Sequence, residues 1–322
     1  MNARAELIER VALRRREQLG PLSDGAYQEL YGDVKANVER FVETAAEEAL
    51  LLIAKALDRH EEARKDEDLM DDESFFASRT KRMERLGRDC QAALAVDPGC
   101  LDALLLLALA KDQDPDLALG GLLELEQRAI DDLGKGSFPA DAWEDLTLRP
   151  LLRIKAAIAR TSLDSARYRM AAAKAEEVIA LSPSDVLGMR HTCALAYARL
   201  EDETAFEALD VRFSRQGSSW EHLARTILLY KLGRMGAARR ALGGYSRLCE
   251  GGAYALFRPV MVDTYLPDRP DTPPLSFAEA TLAVHEADPV VCDVPDFINW
   301  AQGQRDAFFS AQDFARRNNY DW

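Results

Sequence analysis

Residues 166–199 read ARYRMAAAKAEEVIALSPSDVLGMRHTCALAYAR and set the expectation for the whole chain. Two runs rich in alanine and long straight side chains, which favour helices, flank the proline-containing corner SPSD at 182–185. This pattern predicts the second helix of one hairpin followed by the first helix of the next. The sequence lacks β-branched runs with period-two alternation, so we expect an all-α fold of stacked helical hairpins.

Small residues recur where the two helices of each hairpin would cross closely. In a repeat of about 34 residues these crossings fall at the eighth and twentieth positions. Frames that begin at residues 101, 152, 186 and 219 place a small residue at every such position: Ala108, Ala159, Cys193 and Thr226, then Gly120, Ala171, Ala205 and Ala238. The spacing therefore predicts a repeated hairpin.

The repeats divide the chain into three predicted regions. Residues 1–83 form an N-terminal helical segment, and residues 84–255 form the repeats, with an insertion at about 135–151. The acidic run at 65–73 is expected to be a solvated connector. Residues 256–322 form a proline-rich connector and a C-terminal helical cap; the connector holds five of the 13 prolines, which predicts extended chain there.

Aromatic residues are concentrated near the C-terminus. A stacked array of hairpins must cover its last apolar face, and Phe308, Phe309 and Phe314 are expected to do this. In the alternative interpretation, the tail occupies the chain's own groove or that of a neighbouring molecule. If the tail binds a neighbouring molecule, a homo-oligomer would form through these aromatic side chains.

The junctions ALAVDPGCLDALLLLALA at 93–110 and VIALSPSDVLGMRHTCALAYARL at 178–200 resemble the helix–proline–helix junctions of tetratricopeptide-repeat (TPR) proteins. The segment at 182–200, followed by HLARTILLYKLGRMGAARRAL at 222–242, more loosely resembles bacterial relatives of the suppressor of tumorigenicity 7 family. The resemblance covers about 84–249. It implies a right-handed α-solenoid, TPR-like in its stacked helical hairpins, in which the first helices line a concave face.

The resemblance also implies which residues line that face, because the TPR family uses the second, fifth, ninth and twelfth positions of each repeat. Arginine can bind a carboxylate through two parallel hydrogen bonds, and arginine and aromatic side chains commonly anchor partners. We therefore expect a non-enzymatic protein-interaction module that binds a partner protein or peptide, preferably an acidic or C-terminal peptide, in the groove. The implied groove residues are Arg153, Arg160, Arg190, Tyr197, Trp220, Leu223, Ile227 and Tyr230.

Charge and composition narrow the classes of partner. The 322 residues carry a net charge of −14, which repels phosphate backbones, so nucleic acid is an unfavourable partner. The longest apolar run, 103–110, is far shorter than the roughly 20 residues that span a bilayer, so no membrane association is expected. Five irregularly spaced cysteines are typical of reduced thiols, which favours a cytoplasmic location.

No set of residues indicates catalysis or a cofactor. The four histidines do not form a zinc-binding H-E-x-x-H motif. The run that starts at Asp112 resembles the start of a calcium loop but lacks the required glycine and closing glutamate. Residues 134–137 lack the upstream glycine of a phosphate-binding loop. We therefore expect no catalytic residues, no metal and no cofactor.

Two other roles stay open at this stage. The chain could be a structural scaffold that associates with itself, or a regulatory domain that controls a separately encoded enzyme or DNA-binding protein. An enzyme built from scattered residues is the least favoured role, because it needs a polar pocket that the sequence does not indicate.

Overall fold

A computed structural model describes residues 1–65, 70–111, 113–133, 138–260, 262–263 and 265–322. These residues are all-α, as predicted, and contain no strand. Asp112, residues 134–137 and part of the acidic connector lie outside the described residues. The described helices are α1 (Ala3–Leu19), α2 (Asp24–Ala36), α3 (Ala45–Lys65), α4 (Asp72–Val96), α5 (Leu101–Ala110), α6 (Pro115–Leu133), α7 (Arg149–Asp164), α8 (Tyr168–Leu181), α9 (Met189–Leu200), α10 (Glu203–Arg212), α11 (Ser219–Lys231), α12 (Met235–Leu248), α13 (Gly252–Phe257), α14 (Phe277–Cys292), α15 (Phe297–Gln302) and α16 (Arg305–Asn318).

The chain forms two compact units, Met1–Ile154 and Lys155–Trp322. In unit 1, α3 packs against α1, α4 and α5, and α5 also packs against α6. In unit 2, α9 packs against α8, α10 and α11, and α11 also packs against α12. Many sequential helices are therefore neighbours in both units, as expected for helical hairpins joined by short corners.

The apolar period predicts one long helix from about residue 24 to 64, but the structure divides it into α2 and α3. Helix α2 ends at Ala36, and the φ of the next residue, Asn37, is −146°, which is not helical. Helix α3 then starts with a reciprocal cap: Glu47 N–H donates to Thr44 Oγ1 at 3.2 Å, and Thr44 N–H donates to a Glu47 carboxylate oxygen at 3.3 Å. This capping box satisfies backbone donors that a continuous helix would have used internally, so it marks a new helix start.

The small residues predicted at helix crossings behave differently in the two units. In unit 2, five of the six are fully buried, and only Ala205 is partly exposed: the buried five are Ala159, Ala171, Cys193, Thr226 and Ala238. In unit 1 the prediction is wrong at Gly120, which is exposed; a Cβ atom added there would meet nothing within 4 Å. The frame starting at residue 101 therefore lacks the close crossing expected at this position.

The C-terminal region partly matches the expected cap. Helix α16 packs against α12 and α13, and Phe314 on α16 is 3% exposed. Its ring centroid lies 4.8 Å from that of Phe277 and 5.6 Å from that of Tyr254. Phe308 and Phe309, by contrast, are 37% and 51% exposed. Of the three predicted covering residues, only Phe314 is buried, because the other two project from the outer side of α16.

Gly251 should not tolerate alanine. Its φ is +64°, and a Cβ atom would lie 2.5 Å from Phe277 Cδ2 and 2.6 Å from Phe314 Cζ. The left-handed backbone and the overpacking together are expected to lower the free energy of unfolding by about 2–4 kcal/mol for Gly251→Ala. Urea unfolding followed by circular dichroism measures the loss.

Gly244→Ala provides the matched control for Gly251→Ala. Gly244 lies inside α12, and a Cβ atom there would meet nothing within 4 Å. Because alanine is the better helix former, the control should be neutral or stabilising by about 0.5–1 kcal/mol. Equal losses in both variants would contradict the assigned packing around Gly251.

Candidate peptide-binding groove

Helix α14 lies along α11 and also touches α9. Helices α11 and α14 run in the same direction, because Ser219 at the start of α11 contacts Glu279, and Tyr230 near its end contacts Phe297 just beyond α14. Helices α9 and α11 are the first helices of neighbouring predicted hairpins. The face that they share, predicted as a groove, is therefore filled by the chain's own residues.

Residues 274–303, which we call the α14 segment, place three carboxylates towards this groove at seven-residue intervals: Glu279, Glu286 and Asp293. Seven residues are nearly two helical turns, so the first two share one face of α14 and the third continues it just past the helix end. Glu279 accepts hydrogen bonds from Ser219 N–H at 2.9 Å and from its hydroxyl at 2.6 Å. Glu286 accepts one from Trp220 Nε1 at 2.9 Å. The groove thus supplies donors to buried acids.

The third carboxylate, Asp293, binds at the far end of the segment. Its Oδ2 atom accepts hydrogen bonds from Arg199 Nε at 2.9 Å and from the Tyr168 hydroxyl at 3.0 Å. These hydrogen bonds, with the positive charge of Arg199, lower the pKa of Asp293. The Tyr168 hydroxyl also lies 2.9 Å from the carbonyl oxygen of Pro289, so two acceptors at the end of α14 share its one hydrogen.

The centre of the groove holds a buried ion pair. Arg269, in the proline-rich segment, places Nε 2.8 Å from a Glu286 carboxylate oxygen, and the Tyr265 hydroxyl donates to the same carboxylate. Burial alone raises the pKa of Glu286, but Arg269 and Tyr265 lower it below its ordinary value. Arg269 also donates to the Thr192 hydroxyl at 2.7 Å and lies 5.8 Å from the ring centroid of Trp220. Both members of the ion pair therefore have further hydrogen-bond partners.

The imidazole ring of His191 stacks on the indole ring of Trp220 and fixes its position. The two rings stack with centroids 4.3 Å apart, and His191 Nδ1 lies 2.8 Å from a Glu221 carboxylate oxygen. Burial raises the pKa of Glu221, but His191 and the hydrogen bonds from Ser218 lower it to about 2. Because Glu221 also closes a capping box with Ser218, this cluster ties the tryptophan to the start of α11.

Five of the eight predicted groove residues lie where residues 265–303 dock, that is, the end of the proline-rich connector together with the α14 segment. Arg160 donates to the carbonyl oxygen of Pro267, and its guanidinium lies 5.4 Å from the ring centroid of Tyr265. The ring of Tyr230 contacts those of Phe297 and Trp300, with centroids 5.4 and 4.9 Å away. On the same face of α11, the remaining three are buried: Trp220, Leu223 and Ile227.

Two predicted groove residues on α9 lie elsewhere. The guanidinium of Arg190 lies 5.3 Å from the ring centroid of Phe213, and its Nε is 3.9 Å from Asp185. The hydroxyl of Tyr197 donates to Glu176 on α8 at 2.9 Å. Both side chains therefore have partners within unit 2 other than the docked segment.

The helix register explains this difference. Asp185 and Gly188 both have positive φ, 50° and 63°, and α9 begins at Met189 rather than at residue 186, where the predicted repeat begins. The face of α9 that meets the segment consequently carries Thr192 and Arg199, which lie seven residues apart. The spacing predicts Thr192 and Arg199 on this face only if α9 is taken to begin later than residue 186. In the sequence, Gly188 was the residue that indicated such a late start.

The eighth predicted groove residue, Arg153, belongs to unit 1. It is 2% exposed, donates to Glu6, and places Nη1 3.1 Å from an Asp102 carboxylate oxygen. Its guanidinium also lies 5.3 Å from the ring centroid of Trp143. The burial of two carboxylates around Arg153 explains its position, because a buried charge requires paired, hydrogen-bonded partners. Arg153 is therefore not placed with the other groove residues.

Three further features of the described residues bear on function. None of those helices combines the length and apolar character needed to cross a membrane. Within the same residues, no group of three or more histidine, cysteine, aspartate or glutamate side chains could hold a metal ion. Burial raises the pKa of Cys90 to about 12, so this thiol is a poor nucleophile at neutral pH.

Comparison with known proteins gives no relative on which an assignment could rest. No family model, no curated protein and no solved structure matches this chain.

Proposed function

We propose that this chain is a protein-interaction module that recognises an acidic helix in a groove lined by α7, α9 and α11, and that its own α14 segment occupies the groove in the isolated chain. One observation carries the proposal. Glu279, Glu286 and Asp293 recur every seven residues, and each accepts hydrogen bonds from a groove residue. A partner helix with the same carboxylate spacing would find the same donors.

A TPR-like right-handed solenoid is the architecture that we propose for this module. Its support is local: sequential helices pack as neighbours in unit 2, and the small residues Ala171 and Ala238 are fully buried. The docked segment then corresponds to the helix-in-groove mode of peptide recognition, in which an amphipathic helix places one face against the receptor.

Competition with the tethered segment controls how tightly a free peptide can bind. If the groove is open in only a fraction of molecules, the apparent dissociation constant rises by the inverse of that fraction. Weakening the chain's own contacts should therefore reveal binding without altering the groove. Asp293 and Trp300 are suitable positions, because both belong to the docked segment and contact Arg199 and Tyr230.

The test uses a labelled peptide of residues 274–303 and the full chain carrying Asp293→Asn and Trp300→Ala. Fluorescence anisotropy should show binding at least about tenfold tighter than to the wild-type chain, which corresponds to about 1.4 kcal/mol of lost competition. A second peptide, with Glu279→Gln, Glu286→Gln and Asp293→Asn, should bind the same variant at least about tenfold more weakly, because it lacks the charged acceptors.

Asp288→Asn is the control for the chain variant. Asp288 is exposed on α14, and its carboxylate contacts only Cys292 Sγ on the same helix among the described partners. This control should bind the peptide as the wild-type chain does. Equal binding of the native and amide peptides, or no binding to a variant that keeps its helical circular dichroism, would refute recognition of an acidic helix.

A second candidate role is self-association, and the exposed aromatic residues at the C-terminal end favour it. Phe308, Phe309 and Trp322 are each more than one-third exposed, and the rings of Phe308 and Trp322 lie 5.1 Å apart. Contiguous exposed aromatic surface is typical of interaction sites. Light scattering of the wild-type chain over a range of concentrations distinguishes this scaffold role from a monomeric receptor.

A further inference from the structure

Phe277, the first residue of α14, is surrounded by aromatic side chains. Its ring centroid lies 4.8 Å from that of Phe314, 5.8 Å from that of Tyr320 and 6.0 Å from that of Tyr254. Favourable aromatic pairs have tilted or offset rings with centroids about 4.5–7 Å apart, and all three contacts are of this kind. We call the residues around Phe277 the aromatic cup: Gly251, Tyr254, Phe314 and Tyr320.

Gly251 brings the backbone close to the Phe277 ring. A Cβ atom at residue 251 would lie 2.5 Å from Phe277 Cδ2, and the φ of Gly251 is +64°. Glycine is therefore favoured here for two reasons, the left-handed backbone and the lack of room for a side chain. The aromatic cup thus holds the phenyl ring with backbone as well as with side chains.

The outer wall of the aromatic cup is the segment that follows α16. Asn319 has a φ of 56°, and this left-handed residue turns the chain back, so that Tyr320 N–H donates to the Ala315 carbonyl oxygen at 2.9 Å. The Tyr254 hydroxyl donates to the Asp321 carbonyl oxygen at 3.1 Å. Tyr320 is 46% exposed, so this wall lies at the protein surface.

The walls of the aromatic cup have support that does not involve α14. Helix α16, which carries Phe314, packs against α12 and α13, and Tyr254 belongs to α13. The Ser310 hydroxyl on α16 also donates to the Ser246 carbonyl oxygen on α12 at 3.0 Å. These contacts remain available when the α14 segment leaves the groove. The cup is therefore preorganised for an aromatic side chain of another helix.

The aromatic cup lies in a fixed register with the donors that bind the acids. Phe277 precedes Glu279, the first of the three carboxylates, by two residues. Glu279 accepts a hydrogen bond from Ser219 N–H at 2.9 Å, and the Leu275 carbonyl oxygen accepts one from Glu250 N–H at 2.8 Å. Hydrogen bonds on both sides of Phe277 therefore position its ring in the cup.

We infer that the aromatic cup is a specificity-determining site of the groove, and that it takes an aromatic side chain two positions before the first carboxylate of a partner helix. The inference rests on the proposed function and narrows its class of partner. Hydrogen bonds to carboxylates alone discriminate poorly among acidic helices. A ring held in a packed aromatic pocket adds discrimination, because a few such anchors supply most of the binding energy of an interface.

Fluorescence anisotropy with variants of the labelled peptide 274–303 tests the inference, with the full chain carrying Asp293→Asn and Trp300→Ala as the receptor. The Phe277→Ala peptide should bind at least about tenfold more weakly than the native peptide, because it loses its ring contacts in the aromatic cup. Alanine is the better helix former, so reduced helicity cannot cause the loss. The control peptide carries His285→Ala, which removes an exposed ring and should change the affinity less than about twofold.

A substitution in the aromatic cup itself provides the second half of the test. Here the receptor also carries Phe277→Ala, so that its own segment cannot fill the cup. Adding Tyr320→Ala should weaken the native peptide at least about threefold and leave the Phe277→Ala peptide unchanged, because only the native peptide has a ring to contact Tyr320. Phe309→Ala is the matched control: Phe309 is also exposed near the end of the chain, but its ring contacts only Phe308 and Arg305 among the described residues.

The outcomes separate this inference from the proposed function. Equal binding of the native and Phe277→Ala peptides, or equal weakening of both by Tyr320→Ala, would overturn the aromatic cup as a recognition site and leave recognition of an acidic helix standing. If the peptide with neutral amides bound as the native peptide does while the Phe277→Ala peptide bound more weakly, acidic recognition would fall and the aromatic site would stand. No binding of any peptide to a receptor with helical circular dichroism would overturn both.

Discussion

Arg269→Met is expected to lower the free energy of unfolding by about 3–5 kcal/mol at pH 7, because it leaves the Glu286 carboxylate buried without its ionic partner. Both side chains are 8% exposed, and their ion-pair distance is 2.8 Å. The change also removes hydrogen bonds to Thr192 and to the Leu187 carbonyl oxygen. Urea unfolding measures the loss, and amide hydrogen exchange should locate it in unit 2.

A double-mutant cycle identifies the cause of that loss. Glu286→Gln in the Arg269→Met background should restore part of the stability, because a neutral amide is less costly to bury than a carboxylate. Arg240→Met, at an exposed position on α12, should stay within about 0.5 kcal/mol of the wild type. Strictly additive losses in the cycle would contradict a coupled ion pair at the centre of the groove.

Arg153→Met is expected to have an effect of similar size in unit 1. Glu6 and Asp102 both pair with Arg153 and are nearly inaccessible to solvent. Burial raises the pKa of Asp102, whereas for Glu6 the charges of Arg153 and Arg10 outweigh burial and lower the pKa. Without Arg153, two carboxylates share a buried site, and we expect a loss of about 3–5 kcal/mol at pH 7 by chemical denaturation.

The free energy of unfolding that Arg153→Met loses should depend on pH in a defined direction. In the variant, burial and mutual repulsion raise the folded-state pKa values of Glu6 and Asp102. A raised folded-state pKa means that the folded state binds protons that the unfolded state has released, so the variant gains stability as the pH falls through those values. In the wild type the two carboxylates have opposite signs. The lowered pKa of Glu6 contributes stability that is lost on acidification below the ordinary value of 4.5, whereas the raised pKa of Asp102 favours the folded state as the pH falls.

The difference between wild type and Arg153→Met should therefore narrow between pH 7 and about pH 4, towards the ordinary carboxyl range. Arg4→Met is the control, because Arg4 pairs with Asp58 at the surface and both side chains are more than 40% exposed. Its cost should not exceed about 1 kcal/mol. A pH-independent loss for Arg153→Met would contradict the buried carboxylate pair.

If an acidic helix of a partner uses the groove, the docked segment has consequences for binding. Partner helices must compete with α14, which is covalently tethered and therefore present at high effective concentration. Only a partner that gains more than the chain's own contacts will displace it. The segment would then select strong ligands and keep the aromatic surface of Trp220 and Tyr230 covered when no partner is present.

The sequence determined the secondary structure and much of one helix face. Helix formers, proline corners and capping residues act within a few positions of one another, so the all-α class and most helix bounds follow from local chemistry. The spacing of Trp220, Leu223, Ile227 and Tyr230 likewise placed these residues on one side of α11. Helical periodicity requires no knowledge of the rest of the chain.

The tertiary structure alone decided what occupies that face. Glu279, Glu286 and Asp293 resemble an ordinary solvated acidic pattern in a chain with 55 acidic residues, and their partners Ser219, Trp220 and Arg199 lie 60 or more positions away. Likewise, Arg153 joins Glu6, from which it is separated by 147 positions. Whether a carboxylate is solvated or accepts hydrogen bonds from the protein depends on contacts between residues that are far apart in the sequence. A rule based on local spacing cannot predict these contacts.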